Sequence, residues 1–218
     1  MFLQQPDVAI TDFLLTLEAI IFAYLIGQIK KNGKLKNIAV LFFSSLALGS
    51  FIGGIVHGFF PESGSLVNFV LWKATIISLG LVALFSWFIA GITLLPKYYK
   101  IIKRAALVEF LLYSVYVIFV NSNFKVAIYN YVPPIILLLI SFFYIYSKNK
   151  YYSIIGIFGI LLTFIAAWVQ QARISIHPIY FNHNAVYHII QAMAIFLIFI
   201  TFRFIVSNKE SKNEFKRN

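Results

Sequence analysis

Residues Asn37 to Phe60 read NIAVLFFSSLALGSFIGGIVHGFF, without a single Asp, Glu, Lys or Arg, and end against Pro61. A helix rises about 1.5 Å per residue, and the hydrocarbon core of a bilayer is about 30 Å thick. Roughly 20 apolar residues therefore span a membrane, and this stretch meets that length. Within it Gly49, Gly53 and His57 recur at intervals of four, which places them on one helical face. Small residues there let another backbone approach closely, so His57 is expected to point into a tight helix contact, with Ser50 near the same face.

Working outward, the same test is met at about 12–29, 67–95, 105–120, 126–146, 152–171 and 184–206. With 37–60 this predicts an all-α, seven-transmembrane helical bundle. Thr11 or Asp12 suits the N-cap of the first helix. Pro96 closes the third helix, and Pro133-Pro134 predicts a kink or a local break in the fifth. The composition agrees: 11% of residues are charged, against about 25% in a soluble domain, and the mean hydropathy is +0.87. The length suits one membrane domain over 1–206, followed by a basic, disordered cytoplasmic tail over 207–218. The first apolar run lacks the basic flank and small-residue cleavage site of a signal peptide. Absence of cysteine excludes disulfides and thiolate metal sites.

The net charge of +11 points to orientation rather than to nucleic acid, because the charges fall in short loops between apolar runs. Fifteen of the 18 lysines and arginines lie in the loops after the first, third and fifth helices or at the C-terminal end. Lys125 and Arg173 fall in the opposite loops, and Lys73 lies inside the third helix. The positive-inside rule then puts the C-terminus in the cytoplasm and the N-terminus outside. The expected setting is a multi-pass position in a cell membrane, with membrane lipid as the surrounding partner.

Ionisable residues inside a span cost at least ~2.5–3.5 kcal/mol near the helix centre, so they usually face the bundle interior. Glu18, His57, Lys73, Glu109 and His188 are of this kind. Counting along the helices puts all four histidines toward the extracytoplasmic side, with Glu18, Lys73, Gln170 and Gln171 at similar depth and Glu109 near the other side. Asn184, His188 and Gln191 share one face of the seventh helix, and His183 stands one residue off it. Lys73 reads best as a side chain snorkelling to the interface. Glu18 suits either a helix–helix hydrogen bond or a functional role, and His177 reads as an interfacial loop residue.

The segments TDFLLTLEA, GGIVHGF, LWK and FNHNAVYHIIQ resemble a bacterial family of small seven-helix proteins, and more widely the alkaline ceramidase and adiponectin receptor superfamily. That resemblance implies a bacterial inner-membrane protein with an intramembrane zinc site that hydrolyses a lipid or another amphipathic amide. His57 and His188 match the superfamily's ligands. Asn184 stands at the first position of its HxxxH pair, and neighbouring His183 is the natural substitute. Gly53 stands where the superfamily tends to have serine, and Lys73 is the only charge in the span where it has an acid.

Three neutral imidazoles and an open position form a catalytic zinc arrangement that lowers the pKa of bound water to about 7. Glu18 would then serve as general base or fix a histidine tautomer. Asn184, Gln191, Ser50 and Lys73 would surround the metal ligands, and the Ile176-His177-Pro178 loop would cover them. Two other classes compete. One is a non-enzymatic receptor or transporter binding a small ligand; the other is a haem protein with His57 and His188 as axial ligands.

Overall fold

The computed structural model describes residues 3–30, 33–62 and 64–207. Seven long α-helices account for most of them: α1 (Pro6–Gly27), α2 (Lys34–Phe59), α3 (Leu66–Leu94), α4 (Tyr99–Phe119), α5 (Phe124–Ser147), α6 (Ser153–Gln171) and α7 (His183–Ser207). Six are long and apolar enough to cross a membrane. The exception is α4, which carries Lys100, Lys103, Arg104 and Glu109 along its length. The tail expected beyond α7 lies outside the described residues.

Two local expectations are corrected. Thr11 and Asp12 are not the N-cap of α1; the helix begins at Pro6, and both residues are buried inside it. Proline suits the first helical turn, where its missing N–H has no intrahelical partner to lose. Thr11 is tolerated inside the helix because its hydroxyl lies 2.8 Å from the Asp7 carbonyl and 2.9 Å from that of Val8. The break expected at Pro133-Pro134 does not occur, since α5 is continuous through both. The two prolines give up only the bonds to the carbonyls four residues earlier. A complete break among apolar neighbours would leave more backbone unpaired.

Packing order explains where a site can form. In succession α1, α2, α3, α5, α6 and α7 touch one another, and α7 returns to α1, so these six close into a ring. The helix α4 lies outside it against α3, where the Tyr113 hydroxyl donates to the Ile76 carbonyl at 2.9 Å. Close approach is clearest between α6 and α7: a β-carbon at Gly159 would lie 2.8 Å from the Ala194 carbonyl oxygen, so only glycine fits there.

The two ends of the bundle differ in chemistry. At one end the Trp72 indole donates to the Ser122 carbonyl at 2.8 Å, which brings the start of α3 to the loop before α5. The Lys73 ammonium donates to the Ile118 carbonyl beside it. The Asn182 backbone N–H donates to Asp7 Oδ2 at 3.0 Å, and the Asn182 side chain accepts from Asn184 N at 2.8 Å, so one residue ties α7 to α1 and caps α7. At the opposite end Lys34 lies over the Tyr99 ring, and Tyr152 stacks on Phe204 with ring centres 5.3 Å apart. Lysines crowd this second end. The first is called here the histidine end and the second the lysine end.

Toward the lysine end the ring is filled by phenylalanine. Phe22 stacks on Phe199 at 4.2 Å, and Phe42, Phe43, Phe142 and Phe202 meet edge to face around them. Such contacts add about 0.5–1.5 kcal/mol each beyond the area they bury.

Candidate functional site

Above this phenylalanine floor the six-helix ring encloses a cavity of about 370 Å³. All six ring helices line it and α4 contributes nothing. On α2 the lining residues are Phe42, Leu46, Gly49, Ser50, Gly53 and His57, a single stripe rising from the floor to the histidine end. On α3 they are Trp72, Thr75, Leu79 and Val82, the i, i+3, i+7 repeat of one helical face. The lower wall is apolar, with Ile195 and Ile198 on α7 facing Leu15 on α1. Toward the histidine end the lining is polar: Gln170 donates to Asn184 Oδ1 at 3.3 Å, and His183 is also in the lining.

The centre of the wall is a cluster that joins the first helix to the last. His188 is 8% exposed and Asp12 only 4%. Their atoms Nε2 and Oδ1 lie 3.2 Å apart, while His188 Nδ1 is 3.0 Å from Thr11 Oγ1. Two hydrogen placements satisfy these contacts. If Thr11 donates to a backbone carbonyl, His188 Nδ1–H donates to Thr11, and the Asp12 contact needs a further proton. If Thr11 donates to His188 Nδ1, then Nε2–H donates to Asp12. In both a proton lies between Oδ1 and Nε2, so Asp12 Oδ2 is a bare acceptor. No hydrogen-bonding group among the described residues pairs with that Oδ2.

Gly53 makes room for it. A β-carbon there would stand 3.3 Å from Asp12 Oδ2, so the carboxyl lies directly against α2. One turn above Gly53, His57 Nδ1 lies 2.7 Å from Gln5 Oε1. A carbonyl oxygen only accepts, so His57 Nδ1 donates, and in the neutral ring the lone pair is then at Nε2. The Ser50 hydroxyl donates to the Leu46 carbonyl at 3.0 Å and retains acceptor capacity. The Gln191 amide lies 3.5 Å from Thr163 Oγ1 across the α6–α7 seam.

Of the residues singled out in the sequence, His57, His183, His188, Asn184, Gln191 and Ser50 all line this cavity. Glu18 and Lys73 do not. Glu18 is six residues beyond Asp12 on α1, whereas the face buried in the ring runs through Asp12, Leu15, Thr16 and Ala19. Lys73 is one residue off the α3 stripe; its ammonium goes to the Ile118 carbonyl and lies over the Phe69 ring. His177 is spent outside the cavity, where Nδ1 accepts from the backbone of Ile179 and Tyr180 at 3.2 and 3.1 Å. Sequence reasoning missed Asp12 and Thr11, because a threonine and an aspartate just before an apolar run look like a helix cap.

A family model described as a family of unknown function, DUF6962, matches residues 8–205. The chain belongs to DUF6962. The match takes in all seven helices, from the first turn of α1 to the last turns of α7, so Asp12, His57 and His188 lie in the part that defines a DUF6962 protein. No curated protein and no solved structure matches the chain. None of these comparisons connects the DUF6962 chain to the alkaline ceramidase and adiponectin receptor superfamily.

The zinc site implied by that resemblance can be tested on the donors alone. Among the described residues no group of three or more His, Asp or Glu side chains is placed to hold a metal ion. Both His188 nitrogens are engaged, one by Thr11 and one by Asp12. His57 offers only Nε2. This arrangement does not fit a three-histidine zinc centre, and the occupation of His188 equally leaves it no nitrogen for a haem iron.

Proposed function

We propose that this DUF6962 protein crosses the membrane seven times and binds a small amphipathic ligand in its interior cavity. The histidine end faces outward in this reading, with the lysine end in the cytoplasm. The observation that carries it is an interior cavity lined by all six ring helices, polar toward the histidine end and apolar below, with Phe42 of the phenylalanine cluster at its foot. Its size falls at the lower end of the range for small-molecule sites, about 300–1,000 Å³. Two observations support the seventh span. The helix α4 runs antiparallel along α3, from Tyr99 beside Phe88 to Ile118 beside Lys73. Lysine and arginine then gather at one end of every helix pair, as the positive-inside rule requires.

Binding is favoured over hydrolysis by the same donors. A hydrolase needs an activated water or nucleophile at the substrate. The hydroxyl on the His188 ring, Thr11 Oγ1, lies against the Asp7 and Val8 carbonyls and is not among the residues lining the cavity, so the Thr11–His188–Asp12 row presents no nucleophile to it. Phe42 at the foot of the lining, packed edge to face on Phe43 and Phe202, also favours a receptor-like site over a conduit.

The absence of cysteine makes the test direct. A single Leu79→Cys variant places a thiol on the cavity wall. Purified in detergent, it is expected to take one adduct from a small water-soluble methanethiosulfonate, read by intact mass. A thiol at Leu79 that reacts only after unfolding contradicts the reading.

A further inference from the structure

The wall of the cavity is rich in acceptors and poor in cations. Asp12 Oδ2 has no partner. His57 Nε2 keeps its lone pair because Nδ1 is committed to Gln5. Ser50 has already given its proton to the Leu46 carbonyl. These three groups lie within about two turns of one another along the α2 face, since the Asp12 carboxyl packs at Gly53. No lysine or arginine is among the residues lining the cavity. A buried carboxyl oxygen left unpaired carries an uncompensated desolvation penalty, so a ligand that supplies N–H donors there removes a penalty already present in the protein.

Resting on the binding reading above, we infer that the cavity takes an amphipathic primary amine. Its ammonium group seats on the Asp12 carboxyl at the level of Gly53, between the turn that carries His57 and the turn that carries Ser50, and its apolar tail points to the phenylalanine floor. An ammonium group has three donors and no acceptor, which suits an unpaired carboxyl oxygen flanked by acceptors. A carboxylate or phosphate ligand at that seat would face the Asp12 carboxyl with no lysine or arginine in the lining to offset it. A neutral alcohol would satisfy one acceptor and leave the others bare. The aromatic rings of Trp72, Phe124, Tyr131 and Tyr187 also line the cavity, and aromatic faces attract cations. The tail has room below: from Gly53 to Phe42 the α2 stripe descends roughly 16 Å at the helical rise.

Leu79 reports on this arrangement from beneath. A β-carbon at Gly49 would lie 3.6 Å from Leu79 Cδ2, so a reagent that reaches Leu79→Cys has passed the Asp12 level. Labelling rates are compared for the cationic ethylammonium and the anionic ethylsulfonate methanethiosulfonates, with Ile176→Cys on the exposed loop as reference. The ratio of cation to anion rates is expected to be at least about tenfold greater at Leu79→Cys, the low end of what electrostatic focusing gives. Added n-octylammonium should slow the labelling several-fold, and n-octanoate should not. In the Leu79→Cys background Asp12→Asn should abolish both effects, and Asp12→Glu should restore part of them. The wild-type carboxyl carries the main comparison, so it stands even where Asp12→Asn folds poorly. Equal reagent ratios at the two sites, or equal protection by octylammonium and octanoate, would overturn the amine assignment while leaving a ligand cavity in place. A Leu79→Cys thiol silent to both reagents in the folded protein overturns the cavity reading itself.

Discussion

His188 Nε2 and Asp12 Oδ1 lie 3.2 Å apart, closing the bundle between its last helix and its first. The pair is almost wholly buried, and its remaining ring nitrogen is held by Thr11. Removing one member of such a pair leaves the other desolvated without compensation. His188→Ala is therefore expected to cost about 3–5 kcal/mol of stability, measured by denaturant unfolding in mixed micelles. Combining His188→Leu with Asp12→Leu should cost less than the two single changes summed, by about 0.5–3 kcal/mol. Strict additivity would mean that the two side chains do not depend on each other.

The seam between α6 and α7 predicts a different kind of sensitivity. Gly159→Ala places a β-carbon against the Ala194 carbonyl, and overpacking of this kind costs about 1–3 kcal/mol. Gly27→Ala, where the added carbon would meet only Val40 at 4.0 Å, is the control and should not destabilise. Thermal unfolding of the two variants side by side checks this, and equal melting temperatures would contradict the close approach.

Metal content separates the two chemistries considered for the histidines. With His188 engaged on both sides, purified protein is expected to hold well under one zinc per chain by elemental mass spectrometry. His57→Ala should leave that content unchanged. Stoichiometric zinc lost in His57→Ala and His188→Ala would restore the hydrolase reading.

The helices themselves are written in the apolar runs, and each lies within a few residues of where the sequence puts it. The largest shifts are at α1, which starts at Pro6 rather than near Asp12, and at α4, which starts at Tyr99 rather than near Ala105. Local pattern made Thr11 and Asp12 look like a cap, because the partner that buries them, His188, comes from the far end of the chain. Glu18 and Lys73 were misplaced for a related reason. Counting residues gives depth in the membrane, but facing is set by the neighbouring helices, and both residues are turned off the stripes that line the ring. His57, Ser50, His188 and Gln191 were legible because glycine and polar spacing marked the inward face of α2 and α7 directly. The exclusion of α4 from the ring was not legible. Its charges set α4 apart from the other six helices but do not give its place; the packing of α5 against α3 puts it outside the ring.

Lys73 provides a check on that facing argument. Its ammonium serves a carbonyl in the last turn of α4, a group with no intrahelical partner. Lys73→Met should therefore leave the labelling rate of Leu79→Cys unchanged and lower stability by about 1 kcal/mol, the usual worth of a lost cap. A several-fold change in labelling would return Lys73 to the cavity.

The central claim is an interior cavity that opens at the histidine end on the outer side of the membrane. The most direct measurement is sided labelling of Leu79→Cys with membrane-impermeant cationic methanethiosulfonate, in intact cells and in inside-out vesicles. Ile176→Cys and Lys100→Cys mark the two loop surfaces. The account predicts that Leu79→Cys and Ile176→Cys react from outside and that Lys100→Cys reacts only in inverted vesicles. Reaction of Leu79→Cys together with Lys100→Cys from the inner side, or from neither side, would contradict it.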